Sequence, residues 1–170
     1  MDRRRILAAL ILALTAGTAS VATAQPARLK DAIVGSWALV SMRGTRPDGG
    51  IAMPYGPRAA GTMWFDHNGR FGIILINPDI PKFASNDREK PTPAEAMAAA
   101  TGSNALFGSY AVDGAARTVT LHVEASSYPN YNGTDQTRVV KSIDANQLVL
   151  VNPASPNGGA AVELVLRRIE

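Results

Sequence analysis

Arg117–Arg138, RTVTLHVEASSYPNYNGTDQTR, is the stretch whose reading decides the fold. Its first half alternates strictly. Val119, Leu121 and Val123 fall on one face, and Thr118, Thr120, His122 and Glu124 on the other. A period of two is the pattern of a half-buried antiparallel strand. The alternation breaks at a polar, aromatic turn around Tyr128, Pro129 and Tyr131, and a second strand is expected from Thr134 to Ile143. The stretch also carries His122, Glu124, Tyr128, Tyr131, Asp135, Gln136 and Arg138, most of the chain's groups able to grip a ligand or move a proton.

Outward from this hairpin the chain repeats the same unit. Strands are expected over residues 35–42, 51–53, 61–65, 70–76, 105–112, 147–151 and 162–169. They are separated by turns with a mechanism. Pro47 presets φ and Gly49-Gly50 permits positive φ; Asp113-Gly114 is a further turn, and Asn68-Gly69 predicts a type I′ hairpin turn. Residues 28–34 read as a short helical lead-in, and 153–159 as a loop. One long irregular stretch, residues 77–93, ends in a helix start. Thr92 stands as N-cap, Pro93 at the first helical position and Glu95 in the capping-box place, with Gly102 as the stop. Such a segment in a compact domain is a lid, a binding loop or an insertion. About eight strands at hairpin spacing with one short inserted helix predict an all-β protein: an antiparallel up-and-down barrel, closed or nearly so.

The N-terminus reads as an address. Arg3-Arg4-Arg5 precede the apolar run 6–14, which is too short to span a bilayer, and Ala22-Thr23-Ala24 is a small-x-small cleavage site. The sequence thus divides into a signal peptide over 1–24 and one barrel domain over 25–170, with a periplasmic or secreted destination and no membrane span after cleavage. Residues 1–24 hold three of the 17 basic and one of the 14 acidic residues, so removing them drops the formal charge from +3 to +1. That is too little for an electrostatic nucleic-acid binder. The chain has no Cys, which excludes disulfides, thiol nucleophiles and thiolate metal sites. Two His with scattered carboxylates show no metal-ligand spacing, no G-x-S-x-G is present, and no cofactor motif appears.

Gly35-Ser36-Trp37 on the first strand, with Arg167 or Arg168 on the last, resembles the lipocalin arrangement. The body of the chain resembles the bacterial and fungal lipocalin-like domain family, a calycin-type barrel. The resemblance runs through Pro54-Tyr55-Gly56, Asp66-His67-Asn68-Gly69-Arg70, Gly108-Ser109-Tyr110-Ala111-Val112, Val119–Val123 and Tyr128-Pro129-Asn130 to Arg138. It implies that Trp37 plugs one barrel end under an arginine in a cation–π contact. It also implies a pocket, and it pulls His122 toward the interior.

Expected ligand contacts are His122, Arg138, Tyr110, Tyr128, Gln136 and Trp64. Arg138 offers a planar donor fork to a carboxylate or enolate if Gln136, Arg138 and Val140 face inward; otherwise it is solvated or paired with Asp135 or Glu124. His122 is a candidate base or polar ligand contact if it faces inward; the amphipathic alternation equally allows an outward face, with Val119, Leu121 and Val123 filling the core. Trp64 and Met63 are neighbours on one strand, so only one of them faces inward. Tyrosines bring a ring and a hydroxyl to a cavity rim, or simply pack. The expected function is an exported protein that binds a small apolar or amphipathic molecule inside the barrel. The alternative is a cofactor-independent isomerase or cyclase in the same cavity, with His122 and Arg138 converging on the substrate.

Overall fold

The computed structural model describes residues 26–46, 48–153 and 161–169. The signal-peptide reading of 1–24, Pro47 and most of the loop expected at 153–159 lie outside them. The elements are α1 (Pro26–Ile33), β1 (Gly35–Thr45), β2 (Ile51–Ala52), β3 (Ala60–Phe65), β4 (Arg70–Ile76), α2 (Pro93–Thr101), β5 (Ser103–Asp113), β6 (Thr118–Ser126), a 3-10 turn at Pro129–Tyr131, β7 (Asp135–Ile143), β8 (Gln147–Asn152) and β9 (Val162–Arg168).

Each strand from β3 to β9 pairs antiparallel with the next, and β1 joins β3 on one side and β9 on the other. The result is a closed eight-stranded barrel, with β2 appended to the end of β1. Closure removes the free edges that an open sheet would present. Small register shifts in β1 at Leu39/Ser41, in β6 at Val123/Ala125 opposite Phe107/Gly108, and in β7 at Val140/Ser142 bend the strands around the barrel.

The alternation that organised the sequence is obeyed. Val119, Leu121 and Val123 are fully buried, and His122 and Glu124 are exposed. The interior of one half is filled by Trp37, Phe65, Phe71, Leu121, Leu148 and Leu166. α1 covers that end. Trp37 Nε1 donates to Ile33 O at 2.9 Å, and the Arg168 guanidinium lies 4.0 Å from the Trp37 ring centroid. Of the two arginines left open by the sequence, Arg168 is the partner. It also donates to the carbonyls of Ala32, Val34 and Ala145.

The turn after β3 differs from expectation. Only Gly69 has positive φ (+79°), so the turn is type I followed by a left-handed glycine rather than type I′. The cause is Asp66, whose Oδ1 accepts from Asn68 N at 2.9 Å and Arg70 N at 2.8 Å and holds Asn68 out of the left-handed region.

The helix start at Thr92 forms as expected. Thr92 N donates to Glu95 Oε2 at 2.7 Å, Glu95 N donates to Thr92 Oγ1 at 3.3 Å, and Gly102 N closes on Ala98 O. Glu95 Oε1 also accepts from Ala84 N at 2.8 Å and so fastens the preceding loop to the helix. Backbone hydrogen bonds from Thr92 and Ala84 hold the Glu95 carboxyl below its usual range. The folded pKa lies below the unfolded one, so this fastening is present above the ordinary carboxylate range and is lost as pH falls through the lowered value. Glu95→Ala is expected to raise amide exchange several-fold across residues 84–96 at neutral pH, with little change in β5–β7. Unchanged protection there would show that the carboxylate does not hold the loop.

Candidate functional site

The barrel has one packed end and one partly hollow end. At the hollow end the elements are the segment after β2, α2, the start of β5, the 3-10 turn, the start of β7 and the end of β8. An inner chamber of about 60 Å³ lies among Met42, Met63, Tyr131, Gln136, Arg138 and Asn152, with Tyr55 and Asn104 on its boundary. A recess of about 260 Å³ lies above it, lined by Tyr55, Ala100, Thr101, Asn104, Tyr128 and Tyr131. Tyr55, Asn104 and Tyr131 border both spaces.

β7 places the charge. Gln136, Arg138 and Val140 alternate inward, while Asp135, Thr137 and Val139 face out. Arg138 Nη2 donates to Gln136 Oε1 at 2.7 Å, and Nη1 lies 3.3 Å from both Thr137 O and Asn152 Oδ1. All three acceptors are neutral. Among the described residues no carboxylate lies within ion-pair distance of Arg138. Desolvation inside the barrel lowers its pKa to about 10, with the Tyr131 hydroxyl opposing slightly. Gln136 Nε2 is buried and has no hydrogen-bond partner. Turning the amide over would set two donors against each other at Arg138, so the orphaned group is the NH₂ in the favoured orientation.

The tyrosines divide by position. Burial raises the Tyr55 pKa, with Tyr131 adding to the rise and a hydrogen bond from Asn104 opposing it. Burial likewise raises Tyr131, against the pull of Arg138. Tyr128 meets Tyr131 edge to face at 4.9 Å on the recess wall. Tyr110 is elsewhere. It sits toward the packed end, edge-on to Phe65 at 5.1 Å, with its hydroxyl donating to Asp66 O at 2.7 Å. It pins the β3–β4 turn and does not border the chamber.

His122 and Trp64 also lie away from the chamber. His122 is on the outer face, its side chain 56% exposed, with Nδ1 2.7 Å from Asp135 Oδ1. Beside it Arg70 and Glu124 form a bidentate pair. The physical reason is the alternation itself: Val119, Leu121 and Val123 occupy the inward positions, and the pairing of β6 is regular from Thr118 to Val123, its bulge coming only at Glu124. His122 and Arg138 therefore project from opposite faces of the wall and do not converge. His122→Ala is expected to change the melting temperature by less than about 2 °C, as for an exposed pair. It should also leave any ligand affinity unchanged; a tenfold loss would require a route from the outer face to the site.

Met63 takes the inward position on β3, which leaves Trp64 outside at 38% exposure. Its indole lies across Gly72 of β4, where any Cβ would collide with the ring. Trp64, Ile74, Phe107 and Ala125 line a shallow apolar groove on this outer face.

Tyr55, Asn104 and Asn152 are site residues that the sequence reading did not single out. Asn104 was legible: it precedes buried Leu106 by two, hence faces the same way. Asn152 follows Leu150 by two in the same manner. Tyr55 belongs to no strand, and nothing in the period of the chain announces it.

Among the described residues no helix is long and apolar enough to cross a membrane, and no three His, Asp or Glu side chains cluster as metal ligands. Two solved structures are similar in part. One is a lipocalin-like protein from Bacteroides uniformis, 15% identical, covering 81% of this chain and 98% of its own, with a TM-score of 0.45. The other is a redesigned β-barrel, 13% identical, covering 84% and 96%, with a TM-score of 0.42. A search of curated proteins found no match. The model of the lipocalin-like domain family matches residues 34–169, the whole barrel, and the chain belongs to that family.

Proposed function

We propose that this protein is exported and binds a small amphipathic molecule at the hollow end of its barrel. The observation that carries the reading is the pair of adjoining spaces that share Tyr55, Asn104 and Tyr131 and end on Arg138. Together they reach the lower end of the usual ligand-pocket range, about 300 Å³. The packed half, filled by Trp37, Phe65, Phe71 and Leu121, leaves a ligand no room to go deeper. Its bulk therefore sits in the recess among the tyrosines, and only its narrow end enters the inner chamber. Aromatic rings with hydroxyl tips suit a molecule that is apolar along its length and polar at one point. The catalytic alternative required His122 and Arg138 in one cavity, and no geometric observation favours it.

The export part rests on Arg3-Arg4-Arg5, the apolar run 6–14 and Ala22-Thr23-Ala24. N-terminal sequencing of the protein recovered from its host should begin at Gln25. For binding, the purified protein is incubated with a crude lipid extract, washed and examined by native mass spectrometry. A retained species of small mass is expected. A protein that emerges with nothing bound, in repeated extracts, removes the binding reading.

A further inference from the structure

We propose that the ligand is a carboxylic acid bound as its anion, with its two oxygens received by the Arg138 guanidinium and by Gln136 Nε2. This deepens the binding reading above and rests on it. Two independent observations on β7 point the same way. A guanidinium within the barrel has only neutral oxygens around it, from Gln136, Thr137 and Asn152. Two residues away, a buried amide NH₂ has no acceptor at all. Barrel-lining cations are costly without a counter-charge, and an orphaned donor forfeits its hydration for nothing. A planar acceptor with one negative charge and two oxygens answers both defects at once, since Arg pairs bidentately with carboxylates.

Size agrees with charge. The inner chamber, about 60 Å³, admits a group of a few heavy atoms such as a carboxylate and excludes the bulk of a larger molecule. The rest of the acid lies in the adjoining recess, which shares Tyr55, Asn104 and Tyr131 with the chamber. The charge cannot come from a nearby side chain in its place. Asp135, the acidic residue nearest in sequence, points outward and is held by His122; Glu124 on the neighbouring strand also faces out, held by Arg70.

The test compares acids with their primary amides, which match in shape and lack the charge. Hexanoate, benzoate and 4-phenylbutyrate are titrated into the full mature protein at pH 7 by calorimetry, each beside its amide, with acetate and chloride as small-anion arms. At least one acid is expected to bind tenfold or more tighter than its amide, with acetate and chloride weaker still. Arg138→Met should abolish that preference. Gln136→Glu, which supplies an internal carboxylate beside Arg138, should weaken the acid at least tenfold and leave the amide within about threefold. Equal binding of acid and amide, no binding by any acid, or a preference that survives Arg138→Met overturns the proposal. If the lipid-extract experiment still retains a molecule in any of those cases, the binding reading stands without the carboxylate. If both experiments are empty, both fail.

Discussion

Trp37→Ala should lower the melting temperature by about 10–20 °C, the largest single effect expected in this chain. Truncating a buried tryptophan typically costs about 3–5 kcal/mol, and each kcal/mol shifts a domain of this size by roughly 3–5 °C. Here three losses coincide. The ring is fully buried at the packed end, so its removal leaves a void among Phe65, Leu121 and Leu166. The Ile33 carbonyl loses the indole donor at 2.9 Å. Arg168 loses the aromatic face 4.0 Å below it while still committed to the carbonyls of Ala32, Val34 and Ala145. The bonds to Ala32 and Val34 tie the end of α1 to β9, so the helix should loosen with the ring. Thermal denaturation by circular dichroism reads the effect, and amide exchange in α1 reads its location. Trp37→Phe should fall between the two. A drop of only a few degrees for the alanine variant would mean that the plug is not what closes this end.

The second large effect has the opposite sign. Gln136→Leu together with Arg138→Met is expected to make the ligand-free protein more stable by about 1–4 kcal/mol, the range seen when buried polar and charged groups are replaced by apolar ones of similar volume. A guanidinium pKa lowered to about 10 from 12.5 means that the folded state resists the charged form. At about 1.4 kcal/mol per unit that resistance is on the order of 3 kcal/mol. The folded pKa lies below the unfolded one, so the cost is fully present at all pH below about 10 and is relieved only as pH rises from there toward the unfolded value. The gain should therefore be constant from pH 6 to 8 in denaturant titrations. Changing both residues removes the charge, the orphaned NH₂ and the bond between them together, and leaves only the two long contacts at 3.3 Å, to Thr137 O and Asn152 Oδ1, without their donor. A double variant less stable than wild type would show that Arg138 contributes to the fold through its neutral partners rather than standing ready for a ligand. Stability gained and acid binding lost in the same protein would be the signature of a functional site carried at a cost.

Several features were decided by local order alone. The period of two in residues 118–124 settled which side chains fill the interior, because successive Cβ atoms on a strand point to opposite faces. The same rule, carried along β7, put Gln136, Arg138 and Val140 together on one side. Thr92, Pro93, Glu95 and Gly102 delimited α2, since caps act over one helical turn. Asp66 set its own turn against the preference of Asn68-Gly69, again through bonds within five residues.

What residues distant in sequence do to one another needed the folded chain. Alternation assigns a face but not its neighbours. It left the side of Arg138 conditional, and nothing in the order of residues says that its inward face meets Asn152 from β8 and no carboxylate. His122 is the instructive contrast: alternation allowed either face, family resemblance pulled it inside, and in the closed barrel Val119, Leu121 and Val123 took the interior and left it outside. Tyr55 reached the site from a proline-bounded segment with no period at all. Local sequence determines which way each side chain turns; only closure of the sheet determines which of them then stand face to face, and so where a charge is left without a partner.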